Sequence, residues 1–277
     1  MFTLNCKGRL LVADRPLVMG IINVTPDSFY AGSRHEESDD VLRQAEQMLA
    51  DGADLLDIGG QSTRPGSRLL TAEEELARVM APVEWLCRRL PEAVLSIDTF
   101  HARVAAEAVA AGAAMVNDVS GGMDEAMLDT VGRLAVPYIC MHIKNQLKDL
   151  HRQPEYDNVV REVLDYFIAK IDACKKAGIH DVIIDPGFGF DKNAMHNFQL
   201  LKALPVLALL EKPVLAGLSR KSTIYKTLGV TAAEALNGTT VLNTLALQNG
   251  AQLLRVHDVK EAREAVTLFM EYKKAAS

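Results

Sequence analysis

Short apolar runs and longer amphipathic runs alternate along this chain eight times, and that alternation restricts its fold more than any other feature. The apolar runs are residues 17–24, 55–60, 94–98, 115–119, 138–143, 182–185, 214–219 and 253–257. They show little polar alternation, as expected of parallel strands covered on both faces. Helical stretches lie between them at 38–50, 71–90, 101–111, 125–135, 158–177, 197–210, 232–249 and 260–274. The first carries Val41, Ala45, Met48 and Leu49 on one face, and the second opens on Thr71 and Glu74 at capping-box spacing. Gly52, Gly112, Gly178 and Gly250 close four of the stretches, where a glycine suits the left-handed residue after a helix. Strands that alternate with helices imply a parallel sheet with right-handed crossovers. Eight such units favour a closed (β/α)8 barrel over an open doubly wound sheet, and no GxGxxG follows the first strand. The 277 residues suit a single TIM barrel domain, and no linker or low-complexity stretch divides them. Residues 2–12 predict a short N-terminal β-hairpin, within 1–13, that turns at Lys7-Gly8 and caps the bottom of the barrel.

Charge and composition remove several classes of function. Thirty basic against 36 acidic residues give a formal net charge of −6, with no Lys/Arg block, which argues against nucleic-acid binding. No uncharged apolar run approaches the roughly 18 residues of a membrane span. The first ten residues lack the apolar centre of a secretory signal, so a cytoplasmic protein is expected. Cys6, Cys87, Cys140 and Cys174 have no CxxC spacing and read as buried thiols in a reducing compartment.

The informative residues lie at the strand ends. In order they are Asn23, Asp57 (before Gly59-Gly60), Asp98, Asn117 with Asp118, His142, Asp185, Ser219, and Arg255 with His257. Any one of these reads equally well as a satisfied strand-end group. Together they define a site, because in a (β/α)8 barrel these ends converge on the mouth that holds the catalytic residues. Asp98, Asn117 and Asp185 suit a flat heterocycle with several N–H groups. Lys221 and Arg255 supply fixed positive charge, and Arg255, His257 and Asn23 suit an anion or a metal–diphosphate. Zinc-ligand spacing and a nucleophile elbow are both missing, so binding and leaving-group stabilisation are favoured over covalent catalysis.

The chain also resembles a known family. Asn23-Val-Thr-Pro-Asp-Ser-Phe29, Asp57-Ile-Gly-Gly-Gln-Ser-Thr-Arg-Pro-Gly66, Ser96-Ile-Asp-Thr99, Val116-Asn-Asp-Val-Ser-Gly-Gly122, Asp185-Pro-Gly-Phe-Gly-Phe190, Ser219-Arg-Lys-Ser222 and Arg255-Val-His257 are similar, in order, to the signature segments of bacterial dihydropteroate synthases. The resemblance implies a transferase of folate biosynthesis that joins 6-hydroxymethyl-7,8-dihydropterin diphosphate to p-aminobenzoate. It implies that Asp98, Asn117, Met141, Asp185, Lys221 and Arg255 bind the pterin. Asn23, Arg64, Arg255 and His257 would hold the diphosphate, with Asn23 a ligand of Mg2+. Thr63, Pro65, Phe190, Lys221 and Ser222 would form the p-aminobenzoate site. Of these, Asn23, Asp98, Lys221 and Arg255 are the expected catalytic set. The segments at 23–33 and 61–68 would be mobile loops that close over the substrates. A homodimer and competitive inhibition by sulfonamides are further implications.

Asn145 and Asp191 depart from the family, which commonly has glycine at both places, and both changes are expected to bear on substrate or inhibitor affinity. His142 stays open between scaffold and substrate contact. Two other readings share the barrel: a pterin-binding methyltransferase of the methyltetrahydrofolate–corrinoid type, and a non-catalytic pterin-binding paralogue.

Overall fold

The computed structural model describes residues 1–24, 34–62, 67–147 and 155–275. An N-terminal hairpin, β1 (Phe2–Cys6) and β2 (Arg9–Ala13), pairs antiparallel and turns at Lys7 and Gly8, as the sequence predicts. Eight strands follow: β3 (Leu17–Asn23), β4 (Leu55–Gly59), β5 (Val94–Asp98), β6 (Met115–Asp118), β7 (Tyr138–Met141), β8 (Val182–Asp185), β9 (Leu215–Ala216) and β10 (Leu253–Val256). They form one parallel sheet in the order β8-β7-β6-β5-β4-β3-β10-β9. A parallel bridge from Ile184 to Val214 joins its two edges, so the sheet closes into the expected barrel.

Side chains alternate across each strand with a period of two, and this places the site. Val18, Leu56, Leu95, Val116, Cys140, Ile184, Ala216 and Leu254 face outward into one apolar cluster with the helices. Leu17, Met19, Leu55, Val94, Met115, Ile139, Ile183, Leu215 and Leu253 form a second cluster, with Leu4, Cys6 and Ala13 of the hairpin packed beneath them. This second cluster is the barrel interior, and the hairpin is its floor. Each fully buried aliphatic side chain here contributes roughly 1.5–3 kcal/mol. Two residues further along the same inward line the chemistry changes. Leu55 gives way to Asp57, Val94 to Ser96, Met115 to Asn117, Ile183 to Asp185 and Leu253 to Arg255.

The helices are α1 (Arg34–Ala50), α2 (Ala72–Arg89), α3 (Ala102–Ala111), α4 (Met127–Leu134), α5 (Val159–Lys176), α6 (Ala194–Lys202), α7 (Ser222–Leu228), α8 (Leu236–Gln248) and α9 (Val259–Lys274). Thr71 and Glu74 make the predicted capping box at the start of α2. The expected helix at 197–210 is instead divided. It begins earlier, capped by Asn193, and stops at Lys202, and a 3-10 helix spans Leu204–Leu210. Pro205 is the physical reason, since it has no N–H to continue the ladder. The strand expected at 214–219 is cut to Leu215–Ala216, and α7 follows from Ser222. No helix among the described residues is long and apolar enough to cross a membrane.

Gly132 shows how closely the outer layer is packed. A Cβ built there lies 1.9 Å from the carbonyl oxygen of Ala177, the C-cap of α5. Gly132→Ala must push α4 off α5, so it is expected to cost about 1–3 kcal/mol in urea unfolding. Unchanged stability would show that the two helices do not make this contact.

Candidate active site

At the mouth of the barrel one cation is set among buried carboxylates. Arg255, at the end of β10, donates from Nε to Asp57 Oδ2 at 2.6 Å and from a terminal nitrogen to Asp98 Oδ2 at 2.6 Å. Asn117 donates its side-chain amide to the same Asp57 oxygen at 2.8 Å. The sequence reading offers this amide to a ligand; one of its two N–H donors is used within the protein, which leaves the other N–H and the carbonyl oxygen. The Asp57 side chain is wholly buried, whereas 14% of the Asp98 side chain and 19% of the Arg255 side chain stay accessible. The sequence reading placed Asp57 at a strand end and assigned it no role. Its parity with inward-facing Leu55 is the signal that would have found it.

The electrostatics follow from this crowding. Burial pushes the Asp98 carboxyl upward, Arg255 opposes the shift, and Asp57, Asp118 and Asp185 reinforce it. Burial pulls the Arg255 guanidinium down, and the carboxylates of Asp57 and Asp98 outweigh it, so Arg255 keeps its charge. Asp185 is raised by burial and countered chiefly by Lys221. Lys221 is lowered to about 8 by burial, against the pull of Asp185.

Lys221 caps α7 and reaches across the mouth. Its Nζ donates to the carbonyl of Phe188 and lies 4.1 Å from the ring centroid of Phe190. A Cβ built on Gly217 would sit 3.8 Å from Lys221 Nζ and 3.9 Å from Asp185 Oδ2, so that glycine keeps the space between them open. Gly187 and Gly189, both with positive φ, explain the Asp-Pro-Gly-Phe-Gly-Phe spacing. A Cβ on Gly187 would lie 2.2 Å from the carbonyl of His142, and one on Gly189 would lie 2.8 Å from Lys221 Cδ. Met141 is buried with Phe100, Val119 and Ile143, and half-buried Phe190 packs on the same patch. The pocket thus has one charged wall and one apolar wall.

His257 and Ser219 meet past the ends of the last two strands. Ser219 Oγ and His257 Nδ1 are 3.0 Å apart, and Ser219 Oγ also accepts the His257 backbone N–H at 3.2 Å. Burial and the Arg255 cation hold the His257 ring down, to about 4, although one edge of the residue is exposed. Asn23 is exposed at the end of β3, and Ser222 is the first residue of α7. Arg220, which the sequence reading left without a role, fixes this corner. Its guanidinium makes two bonds to Asp258, at 2.9 and 2.8 Å, and reaches the carbonyls of Ala232 and Ala233. Thr63, Arg64 and Pro65 lie outside the described residues, as do Pro26, Asp27 and Phe29 of the first loop. The described ends of the second loop are tied, since Gln61 accepts from Leu70 N at 2.8 Å and Arg68 pairs with Glu74 at 2.7 Å.

Two strand-end polar groups point away from the pocket. Asp118 faces outward and accepts from the Ser120 backbone and hydroxyl, Gly122 N and Tyr138 Oη. His142 is buried with Nδ1 3.0 Å from Lys192 Nζ, which settles its open role as scaffold. Burial and Lys192 hold that imidazole far below its usual value.

A pterin-binding enzyme built on a (β/α)8 barrel is the class that this fold and pocket define. The chain matches the pterin binding enzyme family over residues 19–257. It is 40% identical to the dihydropteroate synthase of Escherichia coli K12 over 94% of this chain and 93% of that one. Among solved structures, Xanthomonas albilineans dihydropteroate synthase with 4-aminobenzoic acid is 44% identical, with a TM-score of 0.92 and 99% of each chain covered. Yersinia pestis dihydropteroate synthase in a sulfonamide drug complex is 40% identical, with a TM-score of 0.92, covering 99% of this chain and 100% of that one. This chain belongs to the dihydropteroate synthase family.

Glu75, in the first turn of α2, is buried and accepts from Thr99 Oγ1 at 2.9 Å, next to Asp98 in sequence. Burial raises its carboxyl to about 7. The folded protein therefore holds this proton more tightly than the unfolded chain does. The stabilisation is full below the usual carboxylate range and is lost as pH rises through about 7. Glu75→Gln keeps the acceptor for Thr99 but removes the charge. Relative to the parent, it should gain stability on the order of 1–3 kcal/mol between pH 5 and pH 8 in urea titrations. A difference that is flat with pH would contradict this assignment.

Proposed function

We propose that this chain condenses 6-hydroxymethyl-7,8-dihydropterin diphosphate with p-aminobenzoate, giving 7,8-dihydropteroate and diphosphate in folate biosynthesis. The observation that carries the reading is the buried Arg255–Asp57–Asp98–Asn117 network, placed opposite Asp185 and Lys221. It offers acceptors to the ring N–H groups of a pterin and keeps a guanidinium among them. Met141 supplies apolar surface for the ring, and Phe190 and Ser222 face the aryl amine from the loops after β8 and β9. Thr63, Pro65 and Arg64 are proposed on their motif positions alone. The p-aminobenzoate reading is supported by the 4-aminobenzoic acid held by the Xanthomonas enzyme.

The chemistry needs little from a base. The C–O bond between the pterin methylene and diphosphate breaks, and its electron pair leaves with the diphosphate. The carboxylate of Asp98 lies near the electron-poor pterin that results and stabilises it electrostatically. The neutral aryl amine attacks the methylene with its lone pair and then loses a proton to solvent. Arg255, His257 and Arg64 bind the departing diphosphate. Asn23 fits the site of Mg2+: its exposed amide oxygen is a hard ligand at the rim, and magnesium commonly takes most of its oxygens from substrate phosphate and water. Among the described residues no group of three or more His, Cys, Asp or Glu gathers to hold a metal. When bound, the ion neutralises charge on the leaving group.

Sulfonamides are proposed as inhibitors that compete with p-aminobenzoate, a reading supported by the Yersinia pestis complex. A homodimer is proposed across α8 and α9. Val241 and Leu245 on one helix, and Leu268 and Tyr272 on the other, stand exposed at one-turn spacing. A cytoplasmic location is supported by four cysteines that are all free thiols.

The test is diphosphate release from dihydropterin diphosphate, which should depend on both p-aminobenzoate and magnesium. No release under any of these conditions would favour the methyltransferase or the non-catalytic reading. Asp98→Asn should lower kcat by about a hundredfold, and near-normal turnover would remove its role. Arg255→Ala should raise KM for the pterin diphosphate more than KM for p-aminobenzoate, and the reverse order would overturn the map of the site.

A further inference from the structure

Lys192, on the loop between β8 and α6, is buried. Its Nζ meets three polar partners, and burial holds the ammonium down to about 7. Nζ donates to the carbonyl of Gly187 at 3.1 Å, to the carbonyl of Phe190 at 3.1 Å and to His142 Nδ1 at 3.0 Å. His142 stands just past the end of β7, so Lys192 ties one strand-end loop to the next. The preceding residue makes the same connection with the opposite charge. Asp191 Oδ2 accepts from the backbone of Lys144 at 3.1 Å and of Asn145 at 2.7 Å, and Oδ1 accepts from the Asn145 side chain at 3.3 Å. Asn145 and Asp191, the two residues that the sequence analysis set apart, are therefore partners.

Asp191 holds these contacts from a left-handed backbone, φ 50°, which is unfavourable for a residue with a side chain. Two backbone donors and one amide offset that cost. Phe190 lies immediately before this pair. Its carbonyl is held by Lys192, and its ring lies 4.1 Å from Lys221 Nζ. The loop cannot shift without breaking bonds to both buried lysines, since Phe188 gives its carbonyl to Lys221.

We propose that Asp191 and Lys192 form a latch between the loops after β7 and β8 that positions Phe190, and through it the p-aminobenzoate side of the pocket. Neither residue faces the pocket, so both are positioning residues. The proposal rests on the reading of Phe190 as a wall of the aryl-amine site.

Steady-state kinetics in both substrates test it, with Asp191→Gly, Lys192→Met and Phe190→Ala compared. Asp191→Gly removes the carboxylate and also relieves the left-handed backbone, so it keeps a folded enzyme if Lys192→Met does not. In each latch variant KM for p-aminobenzoate should rise about fivefold more than KM for the pterin diphosphate. Equal rises in both, as general loosening would give, overturn the latch. Unchanged KM for p-aminobenzoate in Asp191→Gly also overturns it, provided Phe190→Ala raises that constant. An unchanged constant in Phe190→Ala identifies the failure as that of the underlying reading of Phe190.

Discussion

Arg255 is the cation on which the mouth of this barrel depends. Three carboxylates, Asp57, Asp98 and Asp185, line one buried space, and close burial of like charges is costly unless a cation is paired with them. Arg255 meets two of them with separate nitrogens of one rigid, planar group, and Asn117 donates to the same Asp57 oxygen. What remains for a ligand is the outer rim of that network: an Asp98 oxygen, the rest of the Asn117 amide and the Asp185–Lys221 pair. The same residues that neutralise the interior also shape the recognition surface.

The strand period delivers those groups to one place. Below the network the inward positions are aliphatic and sealed by the N-terminal hairpin. Above it the chain leaves the strands as loops. Each parallel strand thus contributes packing at its start and chemistry at its end, which separates stability from function along a single line of residues.

That division made much of the molecule legible in sequence. The eight strand–helix units and the hairpin could be read from apolar runs, and the site from strand ends. Residues that look alike in sequence, however, point opposite ways. Asp118 follows inward-facing Asn117, and His142 follows inward-facing Met141, so parity sends both outward, where they serve as scaffold. Parity was available in the sequence and would have separated them from Asp98 and Asp185. Lys192 was hidden for a different reason. Its partner His142 is 50 residues away, and no local pattern marks such a contact. Pro205 signalled the divided helix.

Carbon-detected NMR titration of labelled aspartate carboxyls, in the parent and in Arg255→Met, tests the role of this cation most directly, with Asp98→Asn used to assign the signal. If Arg255 holds the Asp98 carboxyl down against its burial, Asp98 in the variant should titrate at least about one pH unit higher than in the parent. A titration that stays in place when the guanidinium is removed would contradict the account.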